Sequence, residues 1–323
     1  MWSSAKHSTN AVIPGLQACP VLDTGESSEF KKNLWIPAFA GMTSLIVIGR
    51  IVMSRIKNTF NRLKKKNERA LIPYIMAGDP DLATTKSLIF EMEKAGCDII
   101  ELGAPFSDPL ADGPTIQKAA IRSLRNRTSI ADVLGLVAEV RKESKIPLIL
   151  MTYYNLIFKY GEERFVHDAV SAGLDGLILP DLPPEEAGIL IPAAKKAGLD
   201  TIFLLAPTST DERIKLVSKV SQGFVYYVSL TGVTGSAIGF QNAAIKDAIS
   251  RIKEVTDKPV SVGFGISTPD QAAQVALWGA DGVIVGSALV KVIEENIGSP
   301  DLVPKAVGFV RALKQGVLAA GNG

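Results

Sequence analysis

Two hydrophobic periods alternate along the chain. Short, nearly continuous apolar runs recur at 71–76, 98–102, 147–152, 176–180, 201–205, 224–228, 260–263 and 282–285. Runs this apolar, bounded by turn residues, predict strands buried on both faces. Between them, apolar residues return every three or four positions. That period predicts amphipathic helices over 83–95, 130–143, 162–172, 185–197, 211–220, 243–255 and 269–278. Several of these helices end alike, in Ala95-Gly96-Cys97-Asp98, Ala172-Gly173-Leu174-Asp175, Ala197-Gly198-Leu199-Asp200 and Gly279-Ala280-Asp281. Glycine there caps the helix, and the next strand follows at once. Upstream, Ile56, Phe60 and Leu63 share one face of a further helix, and Lys64-Lys65-Lys66 makes its solvated end.

Eight strand–helix units in succession predict a (β/α)8 TIM barrel with an extra N-terminal helix. A doubly wound open sheet is the alternative, but no Gly-x-Gly-x-x-Gly follows the first strand. Residues 1–52 follow neither period and are broken by Pro14, Pro20 and Pro37. Within them, Trp35-Ile36-Pro37-Ala38-Phe39-Ala40-Gly41-Met42-Thr43 resembles the translation of a repeated bacterial DNA element. Residues 1–52 are therefore expected to be a non-native or disordered extension, and 53–323 a single TIM-barrel catalytic domain. A genuine, poorly ordered leader is the other reading.

Composition narrows the class. A chain that is 47% hydrophobic and 21% charged can build a large core as a soluble protein. A net charge of +2, without aromatic-basic interleaving, gives no nucleic-acid face. Two cysteines, Cys19 and Cys97, are too few for a disulfide framework, which fits a reducing, cytoplasmic compartment. Cys97 precedes a strand and reads as a small buried residue. His167, inside a helical run, reads as structural, and no His and Cys have metal-ligand spacing. The apolar run 45–48 stops at Gly49 and Arg50, and no stretch is long enough to span a bilayer.

In a barrel of this type, chemistry sits on the loops after the strands. The second strand delivers Glu101, then a long loop fixed by Pro105, Pro109, Gly113 and Pro114 that carries Asp108 and Asp112. An acid at the end of an apolar strand is costly without a partner or a task. Two carboxylates in different environments can divide the roles of proton donor and fixed charge. The bland reading is ion pairing for Glu101, with turns and helix caps for the aspartates. Gly263-Phe264-Gly265 and Gly286-Ser287 follow the seventh and eighth strands. Adjacent glycine turns that open helices suit phosphate, and tight turns alone are the alternative. The glycine-rich stretch Thr231 to Gly239 is long for such a connection and reads as a candidate lid or a surface loop. No strand ends in Lys, so a Schiff base is not expected. What remains is carboxylate acid–base chemistry on a phosphorylated small molecule, with the tyrosines and Phe264 able to flank a flat apolar group.

These residues carry a resemblance. The stretch Glu-Leu-Gly-Ala-Pro-Phe-Ser-Asp-Pro-Leu-Ala-Asp-Gly-Pro-Thr-Ile-Gln at 101–117 resembles the signature of the tryptophan synthase alpha chain family. Further matches are Tyr74-Ile75-Met76-Ala77-Gly78-Asp79-Pro80, Tyr153-Tyr154-Asn155, Pro180-Asp181-Leu182-Pro183, Thr231-Gly232-Val233-Thr234-Gly235, Gly263-Phe264-Gly265-Ile266-Ser267 and Val285-Gly286-Ser287-Ala288. The resemblance runs from about Ser54 to Asn296 and into the final helix. It implies a lyase that cleaves indole-3-glycerol phosphate to indole and glyceraldehyde 3-phosphate in L-tryptophan biosynthesis. It implies Glu101 as general acid–base, with a pKa raised by its apolar strand, and Asp112 as the charge facing the indole N–H. Tyr226 would stand near the catalytic Glu, and Thr234, Gly235, Gly265, Gly286 and Ser287 at the phosphate. Tyr74, Met151, Tyr153 and Phe264 would border the ring; Tyr74 stands where some members have Phe, and Met151 where some have Leu. The resemblance implies no cofactor in this chain, and a tryptophan synthase beta chain carrying pyridoxal phosphate as partner in an alpha2beta2 tetramer. The loop 105–109 and the lid would couple to that partner. A different sugar-phosphate barrel, such as an isomerase, would explain the phosphate turns but not the 101–112 loop. A catalytically silent barrel that binds phosphate or activates a partner would not need both acids.

Overall fold

Among the described residues, nine parallel strands follow one another, each leading into a helix or a turn. They are β1 (Ala70–Met76), β2 (Ile100–Gly103), β3 (Leu148–Met151), β4 (Gly176–Ile178), β5 (Asp200–Ile202), β6 (Leu204–Leu205), β7 (Val225–Val228), β8 (Val260–Gly263) and β9 (Gly282–Val285). This computed structural model describes residues 54–228, 242–263 and 265–321. The expected extension 1–52, the candidate lid 231–239 with Thr234 and Gly235, and Phe264 lie outside the described residues.

The strands pair in the order β5-β4-β3-β2-β1-β9-β8-β7-β6. The two ends of that order, β5 and β6, are halves of one predicted strand, 201–205. Phe203 interrupts it by turning its N–H to the Ser221 hydroxyl (3.3 Å). The sheet therefore begins and ends on the same stretch of chain and closes as an eight-staved α/β barrel.

Alternation along each stave sorts the side chains. Leu71, Ile75, Ile100, Leu102, Leu148, Leu150, Val260, Val262, Val283 and Val285 belong to the layer between sheet and helices. Ala70, Ile72, Ile99, Ile149, Ile178, Ile202, Phe224 and Ile284 form a second, interior cluster. That cluster also contains Ile56, Phe60 and Leu63 from helix Arg55–Lys65. The predicted extra helix thus closes the end of the barrel where the strands begin, with the Phe60 and Phe224 rings 5.7 Å apart. Ser54 caps this helix by accepting from the Lys57 N–H. With that end filled, the open end is the one where the strands finish.

Most predicted helices lie within a residue or two of their expected bounds. Two differences have local causes. The helix expected over 185–197 begins only at Leu190. Pro183 and Pro184 start it with short turns instead, through Glu186 N–H to Pro183 O and Ala187 N–H to Pro184 O. No helix is expected at the exit of β3, yet Tyr154–Tyr160 is helical. Its first N–H is taken by the Asp181 carboxylate at 2.9 and 3.1 Å, from the loop after β4. Cys97 is buried as expected. His167 does lie within a helix, Glu162–Ala172, but it is exposed, and its Nδ1 lies 3.0 Å from the Asp168 carboxylate.

Candidate active site

Glu101 lies on β2 between Ile99 and Gly103, so the same alternation that buries Ile99 aims it into the barrel. It is 1% exposed. Its Oε2 has no hydrogen-bond partner among the described residues. Burial, and then the negative charge of Asp112, push its pKa up to about 8. A buried carboxyl that is left unpaired stays protonated at neutral pH, and an orphaned oxygen of this kind marks a place for a ligand to complete.

Asp112 is half-buried on the loop after β2. Burial raises its pKa to about 6, while a hydrogen bond from the Tyr153 hydroxyl holds it down. Near neutrality the pair therefore differs in state, with Glu101 a proton donor and Asp112 an anion. Asp108, the third acid of the stretch, is exposed and bonded to the Ser107 hydroxyl. It serves the turn, not the site.

Tyr153 ties the loop down. Its hydroxyl accepts from the Ala111 N–H at 2.9 Å and donates to Asp112. Its ring stacks on Phe106 at 5.1 Å between centroids. So the residue expected beside the ring is also the one that fixes where Asp112 stands.

Tyr74 on β1 and Tyr226 on β7 flank the carboxylates. Each is pushed well above the usual phenol range, first by burial and then by the charges of both acids, so each remains a neutral phenol. Both reach toward the open end in the same way. Tyr74 pairs in register with Glu101, and Tyr226 with Ser261. Each hydroxyl then lies over a glycine two positions further along the neighbouring strand. A Cβ on Gly103 would sit 2.1 Å from the Tyr74 hydroxyl oxygen, and one on Gly263 2.5 Å from that of Tyr226. Both positions need glycine because the phenols occupy that space. Met151, opposite Gly103 on β3, is partly exposed and touches the interior cluster as well as the one around Tyr74.

The two glycine turns differ. Gly265 has φ +25° and open space where a Cβ would stand. The helix that follows it, Pro269–Leu277, is closed by a capping box between Thr268 and Gln271. The helix after β9, Ser287–Glu295, starts at Gly286 with no side-chain cap. Its first N–H groups are thus left for an anion, and a Cβ added at Gly286 would stand 3.6 Å from the Tyr74 Cβ. Among the described residues there is no group of His, Cys, Asp and Glu suited to a metal ion, and no helix long and apolar enough to cross a membrane. Thr234, Gly235 and Phe264 are outside the described residues.

The family profile described as tryptophan synthase alpha chain matches residues 60–317. A tryptophan synthase alpha chain from Geotalea uraniireducens is 56% identical over 270 residues, covering 84% of this chain and 100% of the relative. Another from Geobacter sulfurreducens is 51% identical over 265 residues, 82% of this chain and 99% of its own. Among solved structures, the tryptophan synthase subunit alpha of Legionella pneumophila superposes with a TM-score of 0.77 at 41% identity, over 83% of this chain and 99% of that one. A chain of tryptophan synthase from M. tuberculosis in an aminoacrylate-bound form gives 0.73 at 38% identity, over 82% and 99%.

Proposed function

The chain belongs to the tryptophan synthase alpha chain family, and we propose that it works with Glu101 as general acid–base and Asp112 as the stabilising charge. It is a lyase that cleaves indole-3-glycerol phosphate to indole and glyceraldehyde 3-phosphate in tryptophan biosynthesis, and the family's alpha chain carries no cofactor of its own.

The observation that carries the mechanism is the buried Glu101, unpaired at Oε2, protonated near neutrality and beside an ionised Asp112. Protonated Glu101 gives its proton to indole C3. The ring then carries a positive charge at its N–H, which the Asp112 carboxylate meets. Glu101, now a carboxylate, takes the proton from the glycerol hydroxyl next to C3. The carbon–carbon bond breaks, its electrons return to the ring, and indole and an aldehyde leave. Glu101 ends as it began, and no net proton is consumed. A group with pKa about 8 suits both halves, as donor first and acceptor second. Tyr74, Met151, Tyr226 and Phe264 border the ring. The uncapped first turn at Gly286 and Ser287, with Gly265, Thr234 and Gly235, holds the phosphate.

The same reading includes a beta chain bearing pyridoxal phosphate, an alpha2beta2 assembly and a cytoplasmic site of action. Leu110, 95% exposed on the catalytic loop, and Phe158, 65% exposed on helix Tyr154–Tyr160, support a docking face at this rim. It also takes 53–323 as the catalytic domain and 1–52 as an extension outside it. The test is indole release from indole-3-glycerol phosphate, with and without a beta chain. Slow release alone and faster release with the partner is expected. A folded protein that yields no indole in either case would overturn the mechanism, and equal rates would overturn the coupling.

A further inference from the structure

One guanidinium that the mechanism does not use joins three elements of the site. Arg122 lies on helix Pro114–Arg125, which begins two residues after Asp112. Its Nε and Nη2 donate to the two oxygens of Asp79 at 2.8 and 2.9 Å. Its Nη1 donates to Glu294 Oε1 at 2.8 Å. Asp79 stands on the turn after β1. Glu294 stands on helix Ser287–Glu295, whose first turn is the phosphate turn of the proposed function.

This is not an ordinary surface bridge. The Arg122 side chain is 18% exposed and that of Asp79 2%. A two-pronged pair so far from water has one geometry, where a surface lysine would have many. Beneath it runs an apolar seam. Ile116, Ala119 and Ala120 of the first helix and Val290 of the second pack around Tyr74 and Met76. Arg122 is one turn beyond Ala119, and Glu294 one turn beyond Val290, so the charges continue the same two faces. The seam and the ion trio together set how the two helices sit on β1.

The substrate has two ends to be held at once. The ring must meet Glu101 and Asp112, and the phosphate must meet the turn at Gly286. We infer that Arg122 is a positioning residue that sets the span between these two ends, by holding the helix behind Asp112 to the helix behind the phosphate turn through Asp79 and Glu294. The inference rests on the phosphate reading of the proposed function. It assigns Arg122 no contact with the reacting atoms; it acts through the helices it joins.

Steady-state indole release, together with inhibition by inorganic phosphate, tests it in the wild type, Arg122→Met and Glu294→Met. Methionine keeps a long apolar stem and removes the fork. Arg122→Met should raise KM and lower kcat, each by roughly tenfold, the scale on which small misplacements of reacting groups act. Glu294→Met removes the acceptor, so it cuts only the tie to the phosphate helix and leaves the buried pair with Asp79 in place. It should raise KM and the phosphate inhibition constant several-fold with kcat kept. A merely structural role would lower thermal stability and leave KM, kcat and phosphate inhibition per folded molecule unchanged. That result in Glu294→Met overturns the inference even if Arg122→Met does not fold. Wild-type protein separates the two levels. If phosphate does not compete with substrate there, the phosphate reading falls and the inference falls with it. If phosphate competes and neither variant alters it, only the role of Arg122 falls.

Discussion

The barrel carries buried or half-buried acids at both ends, and those where the strands begin are built in the opposite way to Glu101. Where the strands begin, Asp98, Asp175 and Asp281 each exchange two hydrogen bonds with the neighbouring strand. Their N–H groups donate to Leu71, Leu148 and Val260 carbonyls at 3.0, 2.9 and 2.8 Å. Their carboxylates accept the N–H of the same three residues at 3.0, 2.8 and 2.9 Å. Cations cover the rest: Lys314 and Arg62 on Asp98, Arg55 and Arg141 on Asp175, Lys253 on Asp281. Where the strands end, Glu101 is at least as buried, yet among the described residues no cation pairs with it and one oxygen has no partner. Its surroundings are phenols and a second acid. One end uses carboxylates to lock staves together, and the other keeps a carboxyl unpaired so that it holds a movable proton.

Exchanging one acid at each end breaks the comparison from both sides. Glu101→Gln keeps the shape and removes the proton, so turnover should fall by roughly a thousandfold, within the range of general acid–base catalysis. Indole release at pH 7 reads it, and a rate within a few-fold of wild type would refute the role. Asp175→Asn should do the reverse. It leaves Arg55 facing a 12% exposed Arg141 without the charge between them. Stability should drop by about 3 kcal/mol, the scale of a broken buried pair, with kcat/KM per folded molecule unchanged. Urea unfolding and the same indole assay read the two quantities. A loss of turnover without a loss of stability would erase the division between the ends.

How far this division is visible in the sequence depends on the reach of each contact. The staves, the extra helix and an acid on the second stave follow from local periods and helix-ending glycines. The aspartates at the other end carried a signal too. Ala-Gly-x-Asp recurs at 95–98, 172–175 and 197–200, but that pattern is read for its glycine, and the constant place of the Asp is the part that matters. Two of these three, Asp98 and Asp175, clamp the neighbouring strand, as does Asp281 after Gly279-Ala280, while Asp200 accepts from the Ser54 hydroxyl. Tyr153 is different. Its bond to Ala111 spans 42 residues, and the Arg122 pairs span 43 and 172. No local pattern encodes such distances. Helix Tyr154–Tyr160 escapes for the same reason, since its capping carboxylate comes from another loop.

A smaller effect follows from the unpaired state of Glu101. Its folded pKa of about 8 lies above the 4.5 of a free glutamate. Below pH 4.5 both folded and unfolded chains hold the proton, and nothing is lost. Between 4.5 and 8 only the unfolded chain releases it, so stability falls as pH rises; above 8 both are ionised and the loss is complete. Glu101→Gln escapes this loss. It should unfold at higher urea than wild type at pH 9, with the gap closing toward pH 4.5. Equal stability across that window would mean that Glu101 is paired in the folded chain after all.

The smallest effect probes the link that sets the two acids apart. Tyr153→Phe keeps the ring that stacks on Phe106 but removes the hydroxyl that Asp112 and the Ala111 N–H share. Ala111 is exposed, so its N–H can turn to water, and stability should change little. Asp112 is affected more. The bond from Tyr153 is what holds its pKa down against burial, so without it the pKa should rise from about 6 toward that of Glu101. Asp112 must be ionised to meet the ring charge. The acid limb of the kcat/KM profile should therefore move to higher pH while the alkaline limb, set by Glu101, stays. Turnover should fall a few-fold at pH 7 and recover toward wild type near pH 8. An acid limb that does not move would show that Asp112 owes its charge to something other than Tyr153. A uniform loss at every pH would show instead that the hydroxyl holds the loop in place without tuning the acid, because a displaced carboxylate is equally displaced at pH 7 and at pH 8.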